Sequence, residues 1–537
     1  MIVLFPVKAQ FREGEPISFH IENCVDETVN LQIFSVGKPV FNKTVEIKEG
    51  IIELPEFEAR RGGYLVEVTS SDKVVVQTAF DVDSDMIRYG FLSDFFQGGE
   101  NENQSIRWMN KLHLNYIQYY DWMYRHDDLI PQTEIFEDLL GRKLSSNTIQ
   151  SRIKQAREAG MVNIAYGAIY GGTNDFAAAN PDWRMYDKNG QPIGFFDFLS
   201  IMNVNKESGW HDHIINEYKK AVEYGFDGIH MDTYGFPKEA RNAKGEILDL
   251  PEDFGQLIDD SKAVLKEVNE DVKLIFNNVG NWPVYSVANR DQEAIYIEVW
   301  DPYSTYQGIE EIITNARREN KEKQIILAAY LKPFEYEVTE KTYNSLWLLT
   351  AIITSLGASH LIHGENGGII TEGYYAKYFH VEESSKKEQI RRYYDYITFL
   401  AEFWRINALS DASRTHFLGD NREYVSDCEY LTPNLEAGKI WTNIRQNDMM
   451  KFINFVNLTG AQDTIWNHQK DIQESDVFSL KILMNREIKA VTYLTPDGDV
   501  IKFDSLAYNI EESEFGPYLV VEIPRLLVWG TLIIEMD

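Results

Sequence analysis

From Ile87 onward the chain alternates short apolar runs with longer stretches in which apolar residues recur at helical spacing. The apolar runs are Arg88–Ser93, Leu114–Tyr119, Val162–Ala168, Gly228–Met231, Val272–Phe276, Ile295–Ile297, Ile325–Ala329 and His360–His363, and they predict eight strands. Helices are predicted over Thr148–Ala159, Trp210–Tyr224, Glu252–Glu270, Tyr303–Asn320, Tyr343–Leu356 and Glu388–Phe403. Eight strand–helix units in succession predict a parallel (β/α)8 barrel, whose chemistry sits where the strands end. The long segments after the second and third strands then become loops over that face.

The flanks read differently. Residues 1–84 alternate apolar and polar positions with a period of two, as in Ile17-Ser18-Phe19-His20-Ile21 and Tyr64-Leu65-Val66-Glu67-Val68. About seven such runs predict an N-terminal immunoglobulin-like β-sandwich. Strand patterning returns from residue 411, at Phe452–Val456, Ala490–Leu494 and Leu519–Ile523, with Pro496-Asp497-Gly498 as a turn. The expected organisation is therefore a sandwich over 1–84, a catalytic TIM barrel over 85–410 and a C-terminal β-sandwich over 411–537. No repeat or low-complexity linker separates the three, so they are expected to pack closely.

Composition adds further constraints. With 52 Lys and Arg against 84 Asp and Glu, the net charge of −32 argues against nucleic acid or an anionic membrane as partner. No apolar stretch is long enough to span a bilayer. Cys24 and Cys428 lie too far apart in sequence to imply a disulfide framework or a metal cluster. Aromatic residues reach 13%; core packing accounts for most of them, and some are expected to line a cleft where flat rings stack on sugar faces. The N-terminus lacks a basic segment and a cleavage site. A native start at Met1 would keep the chain in the cytoplasm, whereas a chain trimmed of a leader would be secreted.

The candidate chemistry gathers at the predicted strand ends. In order these carry Asp94; Asp121, Trp122, Tyr124, Arg125 and His126; Asp232; Asn277 and Asn278; Glu298 and Trp300; Tyr330 and Lys332; and His363 and Glu365. A single polar residue after a strand only starts a turn, but a converging set is harder to explain that way. Asp232 and Glu298 stand out because each closes an otherwise apolar strand, and the fourth and sixth strands of a barrel are next-but-one neighbours. A retaining glycosidase needs two carboxyl groups about 5–5.5 Å apart, one ionised to attack and one protonated to assist the leaving oxygen. For either acid alone, a salt bridge to Arg125 or Lys332 is the competing explanation.

No HExxH, CxxC, GxGxxG, Walker A or GxSxG arrangement occurs at a credible position, so neither cofactor nor metal is expected. Histidines scattered through the barrel keep a metal hydrolase as an alternative. Of these, His211-Asp212-His213 falls at a helix start, where polar residues are ordinary.

Five segments carry a family resemblance: YGFLSDF at 89–95, NYIQYYDWMYRHD at 115–127, GFDGIHMDTYG at 225–235, FNNVG at 276–280 and IYIEVWDP at 295–302. Through them the chain resembles glycoside hydrolase family 66, the dextranases and cycloisomaltooligosaccharide glucanotransferases. The resemblance implies retaining cleavage of α-1,6-linked glucans, with Asp232 as nucleophile and Glu298 as general acid/base. It further implies sugar contacts from Asp94, Asp121, Trp122, Tyr124, Asn277 and Asn278, to which the strand-end reading adds Trp300, Tyr330, His363 and Glu365. The longest candidate insert, Asp127–Asn147, is too short for the sugar-binding module typical of the glucanotransferases, so an endo-dextranase acting on dextran or isomaltooligosaccharides is expected. The alternatives are a transglycosylase making cyclic or elongated products and a non-catalytic carbohydrate-binding protein.

Overall fold

The computed structural model describes residues 2–36, 38–54, 56–404, 409–417 and 419–537; Met1, on which the reading of the N-terminus turned, lies outside them. Two antiparallel sheets open the chain. One holds Val3–Pro6, Ile17–Glu22 and Ile51–Leu54; the other holds Lys38–Glu46, Thr28–Ser35, Gly62–Thr69 and Val75–Val82 in that order. Alternate residues such as Ile17, Phe19 and Ile21 turn inward and meet Leu31, Val66 and Phe80 in a shared core. This is the expected sandwich.

The barrel follows in eight parallel strands hydrogen-bonded in chain order. They are Tyr89–Leu92, Tyr116–Tyr119, Val162–Ala168, Gly228–Asp232, Lys273–Val279, Ala294–Glu298, Gln324–Ala328 and Ser359–His360. The eighth meets the first through a parallel bridge between Gly364 and Phe91. Only glycine permits this approach, since a Cβ on residue 364 would stand 2.4 Å from the Phe91 carbonyl oxygen. At the other end the Gln324 amide closes the seam, accepting from Ile87 N at 2.6 Å and donating to Ile87 O at 3.1 Å.

All six expected helices form, as Ser146–Glu158, Gly209–Tyr224, Leu250–Leu265, Tyr306–Glu319, Glu340–Ser355 and Ser384–Phe399. Caps define several of their ends: Ser145 and Thr305 accept from the backbone N–H three residues on, and Gly225, at φ 128°, ends Gly209–Tyr224. A further helix, Gln104–Lys111, joins the first two strands where the sequence had shown none. No described helix is long and apolar enough to cross a membrane.

Barrel strands are buried on both faces, which is why they read as continuous apolar runs. Ile229 and Met231 face outward into the layer of helices, as do Ile295 and Ile297. The alternate positions point inward, where Tyr89, Phe91, Ile164, Ile275, Tyr296, Ile326 and Leu361 fill the barrel. Asp232 and Glu298 share the parity of these inward residues, so both carboxylates point over the barrel mouth.

The last helix among the described residues, Ser384–Phe399, ties the three parts together. Its buried Asp395 accepts from Thr78 Oγ1 at 3.0 Å and Ala79 N at 2.9 Å, and Arg391 Nη1 donates to it at 2.7 Å. From the same helix, Tyr396 Oη donates to Thr531 Oγ1 at 2.6 Å and Tyr393 Oη to Asp497 Oδ1 at 2.8 Å. The two end regions also meet directly, Ile501 N donating to Gln77 Oε1 at 2.8 Å. The C-terminal part is a sandwich of a larger sheet built on Ile440–Gln446, Met450–Asn457, Trp529–Met536 and Ile488–Thr495 and a smaller one holding Tyr424–Ser426, Phe478–Leu483, Gly516–Ile523 and Tyr508–Ser513.

Candidate active site

Asp232 is the last residue of the fourth strand and Glu298 the last of the sixth, with Asn277 on the strand between them. The Asn277 amide bridges the two: Nδ2 donates to Asp232 Oδ1 at 2.7 Å and to Glu298 Oε2 at 3.1 Å. Those oxygens are therefore no further apart than the sum of these two lengths. The outer oxygen of each acid takes a tyrosine hydroxyl, Tyr166 Oη donating to Asp232 Oδ2 at 2.7 Å and Tyr330 Oη to Glu298 Oε1 at 2.8 Å. Neither Arg125 nor Lys332 bonds the pair. Arg125 instead lies over the Tyr124 ring and donates to backbone carbonyls.

Burial and the facing Glu298 charge push Asp232 up to about 7, against the opposing pull of Asn277 and Tyr166. Burial raises Glu298 too, while Tyr330, Asn277 and Trp300 resist. Two close carboxyls that both resist ionisation favour holding one proton between them over ionising together. Below them His230, stacked between Tyr89 and Tyr166, faces the Tyr89 hydroxyl at 3.0 Å through Nδ1. Desolvation pushes it down to about 3, so it is a neutral floor. Across the mouth, burial pushes Asp121 up to about 7, with the Arg142 charge opposing.

The pair opens into a cavity of about 880 Å³. Aromatic rings make much of its wall: Tyr120, Tyr124, Tyr166, Phe195, Phe196, Tyr234, Trp300, Tyr330, Tyr374 and Tyr375. Of the predicted catalytic and sugar-contact residues, Asp121, Tyr124, Asp232, Asn277, Glu298, Trp300 and Tyr330 reach this cavity, as do the strand-end residues Arg125 and His126. Five do not. Trp122 is fully buried behind the wall, its Nε1 donating to Tyr166 O at 3.1 Å. Asn278 follows Asn277 and so faces the opposite side, its amide on Tyr296 O at 2.9 Å. Asp94 is exposed outside the cavity. His363 is 2% exposed and packs edge-on to Tyr394. Glu365 accepts from Ser93 N, Ser93 Oγ and Asp94 N at 2.9–3.0 Å, holding the segment after the eighth strand to the first.

Several wall residues were missed. Tyr166 sits within an apolar strand and has no strand-end position to mark it. Phe195 belongs to a small sheet of Gly171–Thr173, Leu199–Ile201 and Gly194–Phe195, and Phe196 begins the turn that follows it. That segment, 169–208, is a longer excursion than Asp127–Asn147. Tyr374 and Tyr375 come from the segment after the eighth strand, which folds back over the mouth. The histidines of the suggested metal cluster are engaged elsewhere: His211 lies on Val204 O and Asp260, and His213 on Asp127 O. Among the described residues no cluster of three or more metal-ligating side chains occurs.

Comparison with known proteins adds to this geometry. Over 370 residues, 61% of this chain, the sequence is 26% identical to a cycloisomaltooligosaccharide glucanotransferase of Niallia circulans; the match spans only 38% of that protein's length. A dextranase of Streptococcus salivarius is 20% identical over 90% of this chain and 68% of its own. Among solved structures, a Paenibacillus cycloisomaltooligosaccharide glucanotransferase complexed with cycloisomaltoheptaose superposes with a TM-score of 0.88 at 19% identity, covering 99% of each chain. An α-amylase from Geobacillus thermoleovorans shares the fold more distantly, with a TM-score of 0.52 at 10% identity over 84% of this chain and 99% of its own. The sequence profile of glycosyl hydrolase family 66 matches residues 6–533, and the chain belongs to that family.

Proposed function

We propose that this chain is a retaining, endo-acting glycoside hydrolase of α-1,6-linked glucans, dextran or isomaltooligosaccharides. The observation that carries the reading is the single Asn277 amide bonded to both Asp232 and Glu298. It limits the oxygen separation to a value below the about 6.5 Å at which inverting pairs begin, which leaves no room for a water between acid and base. The hydrogen bonds to Asp232 are the shorter of the two sets, favouring the anion there and the proton on Glu298.

In the first step Asp232 attacks the anomeric carbon while the bond to the leaving oxygen breaks. Glu298 delivers its proton to that oxygen, and a β-glucosyl ester forms on Asp232. In the second step Glu298, now ionised, takes a proton from water. The water oxygen bonds to the anomeric carbon, the ester bond breaks, and the α-configured product leaves with Asp232 regenerated. Near-neutral glucan suits an acidic chain, because sugar hydroxyls and apolar ring faces need no charge partner.

One observation favours a share of transfer. Phe196 lies at the cavity wall with 73% of its surface exposed, a ring available to an acceptor sugar. The lack of a hundred-residue insert does not separate the two outcomes, since the chain covers 99% of the Paenibacillus glucanotransferase structure. The deciding experiment is reducing-sugar release from dextran set against starch, pullulan and cellulose, followed by product analysis. Linear isomaltooligosaccharides released from dextran alone are expected. Cyclic products would move the assignment to the transferase, and release from starch instead would refute the linkage assignment. Oligosaccharide binding without any release would leave a carbohydrate-binding protein.

A further inference from the structure

Behind Glu298 runs a buried row of tyrosine hydroxyls that no step above uses. Tyr330 Oη lies 2.8 Å from Glu298 Oε1; Tyr375 Oη lies 3.0 Å from Tyr330 Oη and 2.8 Å from Tyr296 Oη. Tyr296 and Tyr330 stand on the sixth strand and just past the seventh, so the barrel sets their places. Tyr375 comes from the segment after the eighth strand and is fixed from several sides. Its ring stacks on Tyr120 at 4.6 Å, meets Phe91 edge-on at 5.7 Å, and is 3% exposed. Its carbonyl lies 3.1 Å from Ser93 Oγ, beside the Glu365 latch.

Valence gives the row a direction. With Glu298 ionised, or protonated on Oε2, Oε1 only accepts, so the Tyr330 proton points at it. The Tyr330 oxygen then takes the Tyr375 proton, and the Tyr375 oxygen takes that of Tyr296. Burial raises all three phenols far above their ordinary range, which keeps them protonated donors. Oε1 is also walled in by backbone, since a Cβ on Gly373 would come within 3.2 Å of it. Oε2 also accepts one donor, the Asn277 amide at 3.1 Å, but that bond is longer than the 2.8 Å hydroxyl bond on Oε1, and Oε2 is the oxygen toward Asp232. The other groups facing Glu298 are the Asp232 carboxylate, the Asn277 amide and Trp300; Asp121 acts on the pair through Asp232.

We propose that Tyr375 is a positioning residue: through Tyr330 it locks a donor onto Glu298 Oε1 and so confines the transferable proton to Oε2, the oxygen on the Asp232 side. The inference rests on Glu298 being the acid of the proposed reaction. Without the row, Oε1 competes for the proton, and a proton held there is turned away from the leaving oxygen. The anion also loses a stabilising donor.

The test is kcat/KM against pH for the full chain on two substrates, isomaltotriose and a 4-nitrophenyl α-isomaltoside whose leaving group departs without a proton. Expected losses on isomaltotriose are about 10²-fold for Tyr330→Phe and about threefold to tenfold for Tyr375→Phe, with a smaller loss for Tyr296→Phe at the far end of the row. The basic limb is expected to move to higher pH in the same order, and the nitrophenyl substrate to be spared. Equal losses on both substrates with an unmoved basic limb in Tyr375→Phe and Tyr296→Phe would make the row mere packing and overturn the proposal alone. Full isomaltotriose turnover by Glu298→Gln would remove the acid itself, and the reading beneath it.

Discussion

Two buried acids invite comparison, Asp232 after the fourth strand and Glu365 after the eighth. Burial pushes each up to about 7. Both follow apolar strand segments, and both were read from sequence as site residues. Their partners separate them. Asp232 spends its two oxygens on side chains, Tyr166 and Asn277, that belong to neighbouring strands and to the cavity wall. Glu365 gathers two backbone N–H groups and a serine hydroxyl from the residues just after the first strand on one oxygen. Donors from backbone make a latch across the barrel seam; donors from rotatable side chains, with open space in front, leave an acid that can react. A raised pKa therefore marks candidates, while partner type and free volume choose among them.

The comparison breaks most sharply at the pair itself. Asp232→Gly is expected to abolish turnover while calorimetry still detects isomaltooligosaccharide binding, and Glu298→Gln to lower kcat by about 10²–10⁴-fold. Near-normal turnover by Asp232→Gly would put the nucleophile elsewhere.

Next in size comes Asn277. Asn277→Ala removes the donor shared by the two acids and is expected to cost about 10²-fold in kcat. Asn278→Ala, one residue on but facing away, should lower the melting temperature and leave kcat within about threefold. Equal rate losses in the two variants would mean that strand parity does not separate site from support.

Glu365→Ala tests the latch. Orphaning the buried N–H of Ser93 and the part-buried N–H of Asp94 is expected to cost about 1–3 kcal/mol in denaturant unfolding, a larger effect on stability than on rate.

The smallest effect is a pH trend. Both acids are raised in the folded chain, from 3.8 for Asp232 and 4.5 for Glu365, so between those values and about 7 the folded state binds more protons than the unfolded. Their contribution to stability is thus lost as pH rises through this window. Asp232→Asn and Glu365→Gln cannot ionise, and each should melt higher relative to the parent at pH 8 than at pH 5. Only Glu365→Gln is expected to remain active.

Much of this was legible in the linear chain because it depends on periodicity. A two-sided buried strand must be apolar along its length, so eight such runs separated by amphipathic helices announce a closed parallel barrel. The same logic exposed Asp232 and Glu298, since a charge ending an apolar run needs a reason. Strand period also carries Asn277 to the mouth and turns Asn278 away, a distinction visible once the inward parity is known.

What the sequence could not hold was the set of contacts between strands and loops distant along the chain. Tyr166 meets Asp232 across 66 residues, and Tyr375 meets Tyr296 across 79. No local pattern marks a tyrosine as donor to a carboxylate that only barrel closure brings near. Glu365 shows the converse: its position after a strand did not reveal that Ser93 and Asp94, joined to it by that same closure, occupy one of its oxygens. Periodicity decided which way each strand faces, because that is a property of the local backbone. Closure decided which side chains meet, because neighbours around a barrel are set by the whole chain returning on itself.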